Sequence, residues 1–160
     1  MASSTSSKCW SATTETDSLR LAPAEAEILS TELSAFAAAL PDAAARARYT
    51  RLASCAAEGR VPAELLPALE TMLELALQRG GPTARQALLS VFSKTPRGRA
   101  LGAAAREVNR ALQALGGQTL QSVRVSSGPG THSLSIETDR CRLTLDLDSH
   151  GAHITSLEAG

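Results

Sequence analysis

The chain has 160 residues, and its 16 lysines and arginines balance its 16 aspartates and glutamates, so the formal net charge is zero. This length fits one ordinary domain, and the charge balance excludes a protein whose entire surface is adapted to polyanions. Aromatic residues make up only 2% of the chain, which predicts a core of Leu, Val, Ile and Ala and leaves few side chains for stacking on ligands or bases.

Residues 1–18 are rich in Ser and Thr and contain few apolar side chains, and the predicted tail extends over residues 1–22. Such a segment buries too little surface to offset the entropy of ordering, so we predict a disordered tail. Trp10 is the exception within it, and the alternatives are docking on a partner, folding back on the domain, or a mobile side chain.

The cellular compartment is predicted from the absence of membrane-spanning, signal-peptide and paired-cysteine patterns in the sequence. No run of about 18 apolar residues is present to cross a membrane, and the first 20 residues have no apolar core of a signal peptide. Cys9, Cys55 and Cys141 form no Cys-x-x-Cys pair and have no His at ligand spacing. We therefore expect a cytoplasmic protein with no membrane partner and no metal or other cofactor.

Residues 23–160 are predicted to form a single α+β domain. Apolar residues at helical spacing, with Pro and Asp at the starts and Gly or Pro at the ends, predict a bundle of about five helices. The predicted helices span residues 24–40, 43–58, 66–79, 84–94 and 96–115.

After Gly116 and Gly117 the apolar period changes from helical to two, which is typical of strands. We predict a C-terminal four-stranded antiparallel β-meander with strands at residues 119–127, 131–138, 141–148 and 152–158. One face of this meander is apolar and should cover helices, because so small a sheet is not stable alone.

Two tight turns set the predicted strand registers. A turn at residues 139–140 places Ile136 opposite Leu143 and Glu137 opposite Arg142. A turn at residues 150–151 places Leu147 opposite Ile154.

The segment Thr95-Pro96-Arg97-Gly98-Arg99 admits two interpretations. Its Pro-Arg-Gly-Arg core resembles that of an AT-hook, but Ala100 stands where that motif has a second proline. Thr followed by Pro also suits a helix N-cap and first position, and a helix follows directly. We favour the helix start.

Basic residues concentrate in this part of the chain. At 100° per residue, Arg99, Arg106 and Arg110 share one face of the fifth helix, opposite its apolar face. Lys94 and Arg97 lie just before them. This arginine stripe could bind phosphates or an acidic protein surface, and the alternative is an ordinary solvated helix face.

No catalytic constellation is evident. The one cluster with metal-ligand chemistry is Asp146, Asp148 and His153, and the spacing fixes no further protein ligand. We therefore predict no catalytic residue and no metal site. The expected function is a non-catalytic protein-interaction or adaptor module that binds a partner protein or itself, with Trp10 as a candidate contact. The alternative is a nucleic-acid-binding accessory protein or regulator that uses the basic face of residues 94–110.

Overall fold

A computed structural model describes residues 18–79 and 82–159, and of Pro82 and Thr83 it describes the backbone. Trp10 and all but the last five residues of the predicted tail lie outside these ranges. Residue contacts divide the chain into two compact units, Met1–Val91 and Phe92–Gly160, where the sequence predicts one domain over residues 23–160.

The first unit is mainly helical. Its elements are β1 (Leu19–Arg20), α1 (Pro23–Ala39), α2 (Ala43–Ala57), β2 (Arg60–Val61), a 3₁₀ turn (Ala63–Leu65), α3 (Leu66–Arg79) and most of α4 (Pro82–Lys94). Aliphatic side chains form its core, and the fully buried ones include Leu29, Leu33, Leu52, Leu69, Met72, Leu73 and Leu88.

The first two helices pack on each other through the unit's aromatic pair. Phe36 of α1 and Tyr49 of α2 meet edge to face, with ring centroids 4.7 Å apart and planes at 72°. Burial raises the pKa of the Tyr49 phenol, and the neighbouring Arg48 charge partly opposes that rise. As predicted, Asp42 caps α2, and its carboxylate accepts a hydrogen bond from the Ala45 N–H at 2.6 Å.

Order begins before the predicted domain start at residue 23. Leu19 pairs with Val61 and Arg20 with Arg60 in a two-stranded antiparallel ribbon. Leu19 is buried in this pairing, and the Arg60 side chain donates to the Ser18 hydroxyl at 2.8 Å. Residues 19–20, which lie within the predicted tail of residues 1–22, therefore form a short strand that one buried leucine helps to hold.

The second unit holds the rest of the fold. It contains the end of α4, then α5 (Pro96–Ala114), β3 (Leu120–Gly128), β4 (Thr131–Thr138), β5 (Cys141–Asp148) and β6 (Gly151–Ala159). The four strands pair in sequence order as an antiparallel meander. The predicted fold class, an α+β chain with five helices followed by a four-stranded antiparallel meander, is confirmed.

The β4–β5 register is the predicted one, with Ile136 opposite Leu143 and Glu137 opposite Arg142. The predicted β5–β6 register is wrong, because Ile154 lies opposite Leu145 and not opposite Leu147. The Asp148 carboxylate accepts the His150 N–H at 2.6 Å, which starts the turn one residue earlier than predicted. The observed register differs from the predicted one by two residues. Because side chains alternate between the two faces with a period of two, the same side chains stay on the apolar face.

The core of the second unit lies between α5 and the sheet. Val108 and Ala111 of α5 pack with Leu143 and Leu145 of β5, and all four are buried. Partly buried side chains surround them: Leu112, Leu115, Leu134, Ala152 and Ile154. Within the described ranges, no helix is long and apolar enough to cross a membrane.

Candidate functional site

The start of α5 fixes the basic face that follows it. Thr95 is fully buried and caps the helix: its hydroxyl accepts the Gly98 N–H at 3.1 Å and donates to the Phe92 carbonyl at 2.8 Å. Pro96 is the first residue of α5. A Cβ atom on Gly98 would lie 1.8 Å from the Phe92 carbonyl oxygen, so only glycine fits. The segment is a buried helix start, as the cap interpretation predicts.

The arginine stripe lies on the opposite side of α5 from Val108 and Ala111. Arg99, Arg106 and Arg110 are all exposed. Arg99 donates to the Lys94 carbonyl at 2.9 Å, which leaves part of its guanidinium facing solvent. At 1.5 Å per residue the stripe is about 16 Å long.

The other predicted contact residues are placed differently. Lys94 and Arg97 are half-buried. The Arg97 guanidinium donates to the Ser149 carbonyl at 3.2 Å, which ties the first turn of α5 to the β5–β6 turn. The structure thus brings Arg99, Arg106 and Arg110 together on one exposed face and gives Arg97 a structural contact instead. Trp10 lies outside the described residues.

The apolar face of the sheet is covered unevenly. Leu143 of β5 is fully buried in the core with α5, whereas Val123 and Val125 of β3 are 52% and 70% exposed. These valines lie opposite Ile136 and Leu134 of β4 and therefore on the same apolar face. β3 thus carries apolar side chains that the described part of the chain leaves in water.

β3 is also an edge strand, since its one partner in the described sheet is β4. Its pairing is irregular only between Leu120 and Ser122, where Gln121 is bulged out, and residues 122–128 then pair without a break. We call residues 122–128 the β3 edge. It contains no proline and carries a single charge, Arg124, so it lacks most of the features that protect edge strands from pairing.

The start of β3 is anchored to the neighbouring turn. The Thr119 N–H donates to the Asp139 carboxylate at 2.8 Å, and the Asp139 N–H donates to the Thr119 carbonyl at 3.0 Å. The buried Thr138 hydroxyl donates to the Gln118 side-chain oxygen at 2.6 Å. These bonds hold β3 in place before any partner binds, which lowers the ordering cost of binding.

The other face of the sheet is polar and forms a shallow concavity of about 470 Å³. Glu137 is central to it, and accepts hydrogen bonds from Arg142 at 2.8 Å and from Ser122 at 3.1 Å. The Arg142 hydrogen bond, then the Ser122 hydrogen bond and the positive charges of Arg142 and Arg124, hold the pKa of Glu137 below its ordinary value. This carboxylate is engaged in holding the sheet together.

The cluster with metal-ligand chemistry is spread over this polar side. Asp146 accepts a hydrogen bond from Ser133 at 2.5 Å, and His153 lies 3.7 Å from the Asp148 carboxylate. In residues 18–79 and 82–159 no three His, Cys, Asp or Glu side chains are grouped to hold a metal ion.

The first unit has a separate apolar groove of about 380 Å³ between α1, α3 and α4. Phe36, Met72 and Leu88 line it, and Glu32 and Arg79 also contribute. It shares no residue with the sheet or the arginine stripe.

Sequence reasoning identified the stripe but missed the β3 edge. Part of the signal was present, since the sequence predicts β3 as the first strand of a meander and its valines alternate with polar residues. What the sequence did not show is that α5 covers β5 and β6 and leaves β3 uncovered.

Comparisons with protein-family models, with curated proteins and with solved structures each returned no match.

Proposed function

We propose that the protein is a non-catalytic protein-interaction module that binds an extended partner segment along the β3 edge. The observation that carries the proposal is Val125, which is 70% exposed at the centre of the β3 edge, whose outer side has no partner strand in the described sheet. An edge strand offers backbone N–H and C=O groups to a partner strand, and alternate side chains add apolar contact.

Two further features support this function. The bonds between Thr119 and Asp139 fix the strand before binding, so its backbone groups are already aligned. The apolar face continues from Val123 and Val125 into half-buried Leu134 and Ile136, which gives a partner side chain a surface to cover.

We infer that the protein works in the cytoplasm. Cys55 and Cys141, the two cysteines within the described residues, are free thiols. Free thiols are typical of reducing compartments.

Site-specific photo-crosslinking in the cells that make the protein tests the proposed function. A photoreactive residue at position 125 should give covalent adducts with another polypeptide chain, which mass spectrometry identifies. The matched control is position 89, because Leu89 is another exposed apolar residue, on α4. Absence of adducts from position 125, or the same adducts from position 89, would refute binding at the β3 edge.

A second candidate function is nucleic-acid binding by the arginine stripe. The observation that favours it is the exposure of Arg99, Arg106 and Arg110 on one face of α5. Cations along an exposed helix contact phosphates, so binding should be nearly independent of sequence and should weaken steeply with salt.

A fluorescence titration with duplex DNA at low salt tests this candidate. Changing Arg99, Arg106 and Arg110 together to Ala should abolish binding. A second triple variant, with the exposed Arg20, Arg48 and Arg140 changed to Ala, removes the same charge elsewhere and should keep binding. Equal affinity of the two variants would show that the stripe has no specific role.

A further inference from the structure

We infer that the partner of the β3 edge is a second copy of this chain, paired antiparallel about a two-fold axis at Val125. This inference rests on the proposed function, which it makes specific. The resulting sheet has eight strands, with the two β3 strands at its centre.

The two-fold axis is placed at Val125 because the regularly paired residues 122–128 are centred there. Residues 122–128 pair without irregularity, and Val125 is their midpoint. Pairing about Val125 sets Val123 opposite Ser127 and Ser122 opposite Gly128 of the second copy. All seven residues are then paired, and the bulged Gln121 stays outside the new ladder.

Backbone direction agrees with the same register. Gly128 and Thr131 close a two-residue turn and form a hydrogen-bonded pair. Counting back from Gly128, every second residue of β3 is hydrogen-bonded to β4, and the residues between them are not. The alternation directs the N–H and C=O groups of Val123, Val125 and Ser127 away from β4. With Val125 on the axis these three residues face one another across the new ladder, which allows about six hydrogen bonds.

Charge separates this register from its nearest competitor. An axis at Val125 sets Arg124 opposite Ser126, and hydroxyls tolerate a neighbouring cation. An axis at Arg124 would set the two Arg124 side chains directly opposite each other, which is destabilising. An axis at Val123 would bring the bulged Gln121 into the ladder.

The opposite edge of the sheet is unsuited to the same pairing. The β5–β6 ladder is interrupted between Thr144 and Leu145, which places a bulge at Thr155 in the middle of β6. The described four-stranded sheet of each chain therefore offers one regular edge. A two-fold contact that uses it on both copies closes as a dimer and does not continue into a fibre.

The size of the contact sets its expected strength. Seven residues on each side are fewer than the 20–30 of a stable interface. We therefore expect a dissociation constant on the order of 10–100 μM.

Analytical ultracentrifugation of the full chain from about 5 μM to 1 mM tests the inference. The molar mass should rise with concentration from 16.6 kDa towards twice that value. Val125→Pro removes an N–H that faces away from β4, so the meander should persist by circular dichroism while the dissociation constant rises at least tenfold. Arg124→Ser should leave that constant within about threefold, because Arg124 faces Ser126. A dimer at least tenfold tighter in Arg124→Ser would place the axis at Arg124 and overturn the register.

Disulfide trapping checks the register directly, in a chain whose Cys9, Cys55 and Cys141 are changed to Ser. Val125→Cys should form a covalent dimer on oxidation, because hydrogen-bonded antiparallel partners have Cα atoms about 5.5 Å apart. Ser127→Cys should not form a covalent dimer. In this register the residues 127 of the two chains are offset by four residues along the strands, so their Cα atoms lie about 14 Å apart. Efficient trapping by Ser127→Cys and none by Val125→Cys would overturn the register.

A chain that stays monomeric at 1 mM would overturn self-pairing. The proposed function is judged separately by the crosslinks from position 125. Adducts with a different polypeptide and a monomeric chain would leave the function standing and remove the second copy as partner.

Discussion

Replacing Thr95 tests how the buried start of α5 is held. Thr95→Ala removes the N-cap and leaves the buried Gly98 N–H without its acceptor, since the Thr95 hydroxyl accepts it at 3.1 Å. Loss of a cap costs about 1 kcal/mol, and an unsatisfied buried donor costs about 1–3 kcal/mol. These two costs overlap, so we expect about 2 kcal/mol for the hydroxyl. The lost methyl adds about 1 kcal/mol. Thr95→Ala should therefore destabilise the protein by about 3 kcal/mol.

Thr95→Ser is the matched control, because it keeps the hydroxyl and loses only the methyl group, for a cost of about 1 kcal/mol. Urea unfolding followed by far-ultraviolet circular dichroism measures both variants. With a slope of about 2 kcal/mol per molar urea, the midpoint should fall by about 1.5 M for Thr95→Ala and about 0.5 M for Thr95→Ser. Stabilities of the two variants within about 0.5 kcal/mol of each other would refute the capping role of the hydroxyl.

Three further outcomes are expected from the same denaturation assay. Gly98→Ala should destabilise by about 2 kcal/mol, because the clash with the Phe92 carbonyl outweighs the helix propensity that Ala gains; unchanged stability would contradict the close approach. Leu143→Ala should cost about 3 kcal/mol, since this side chain is fully buried in the core with α5, and a surface-like cost below 0.5 kcal/mol would argue against that core. The folded-state pKa of Glu137 is depressed, so its contribution to stability is complete above its ordinary pKa and is lost as the pH falls through the lowered value. On acidification, the free energy of unfolding of Glu137→Gln should therefore fall less than that of the unmodified chain. The same dependence of this free energy on pH in both proteins would contradict the role of Glu137.

The helices and strands could be predicted closely because local signals decide them. Pro23, Asp42 and Thr95 mark helix starts in the sequence, and each marks one in the structure. Alternating apolar residues fixed the face of each strand. The β5–β6 turn was predicted one residue too late. Its position depends on the hydrogen bond from the His150 N–H to the Asp148 side chain. The apolar alternation is the same for both turn positions, so it could not reveal this bond.

The candidate site could be predicted only in part. Helical spacing alone places Arg99, Arg106 and Arg110 on one exposed face, because a helix has a known angular period. The exposure of Val125 depends on how much of the sheet α5 covers, which is a tertiary property. The alternation of β3 resembles that of the buried strand β5, so sequence pattern cannot distinguish the uncovered strand from the covered one.

The contact between Phe36 and Tyr49 gives the chain a built-in optical probe. Tyr49 is the single tyrosine of the sequence, and it lies in the first compact unit. Its raised pKa means that phenolate absorbance appears at higher pH in the folded protein than in the unfolded one. Absorbance thus reports the unfolding of the first unit, while the β-sheet dichroism signal comes mainly from the second. The phenolate absorbance at one alkaline pH and the β-sheet dichroism can be measured along the same urea gradient. Coincident curves would show that the two units unfold in a single cooperative transition, and separate curves would show two transitions.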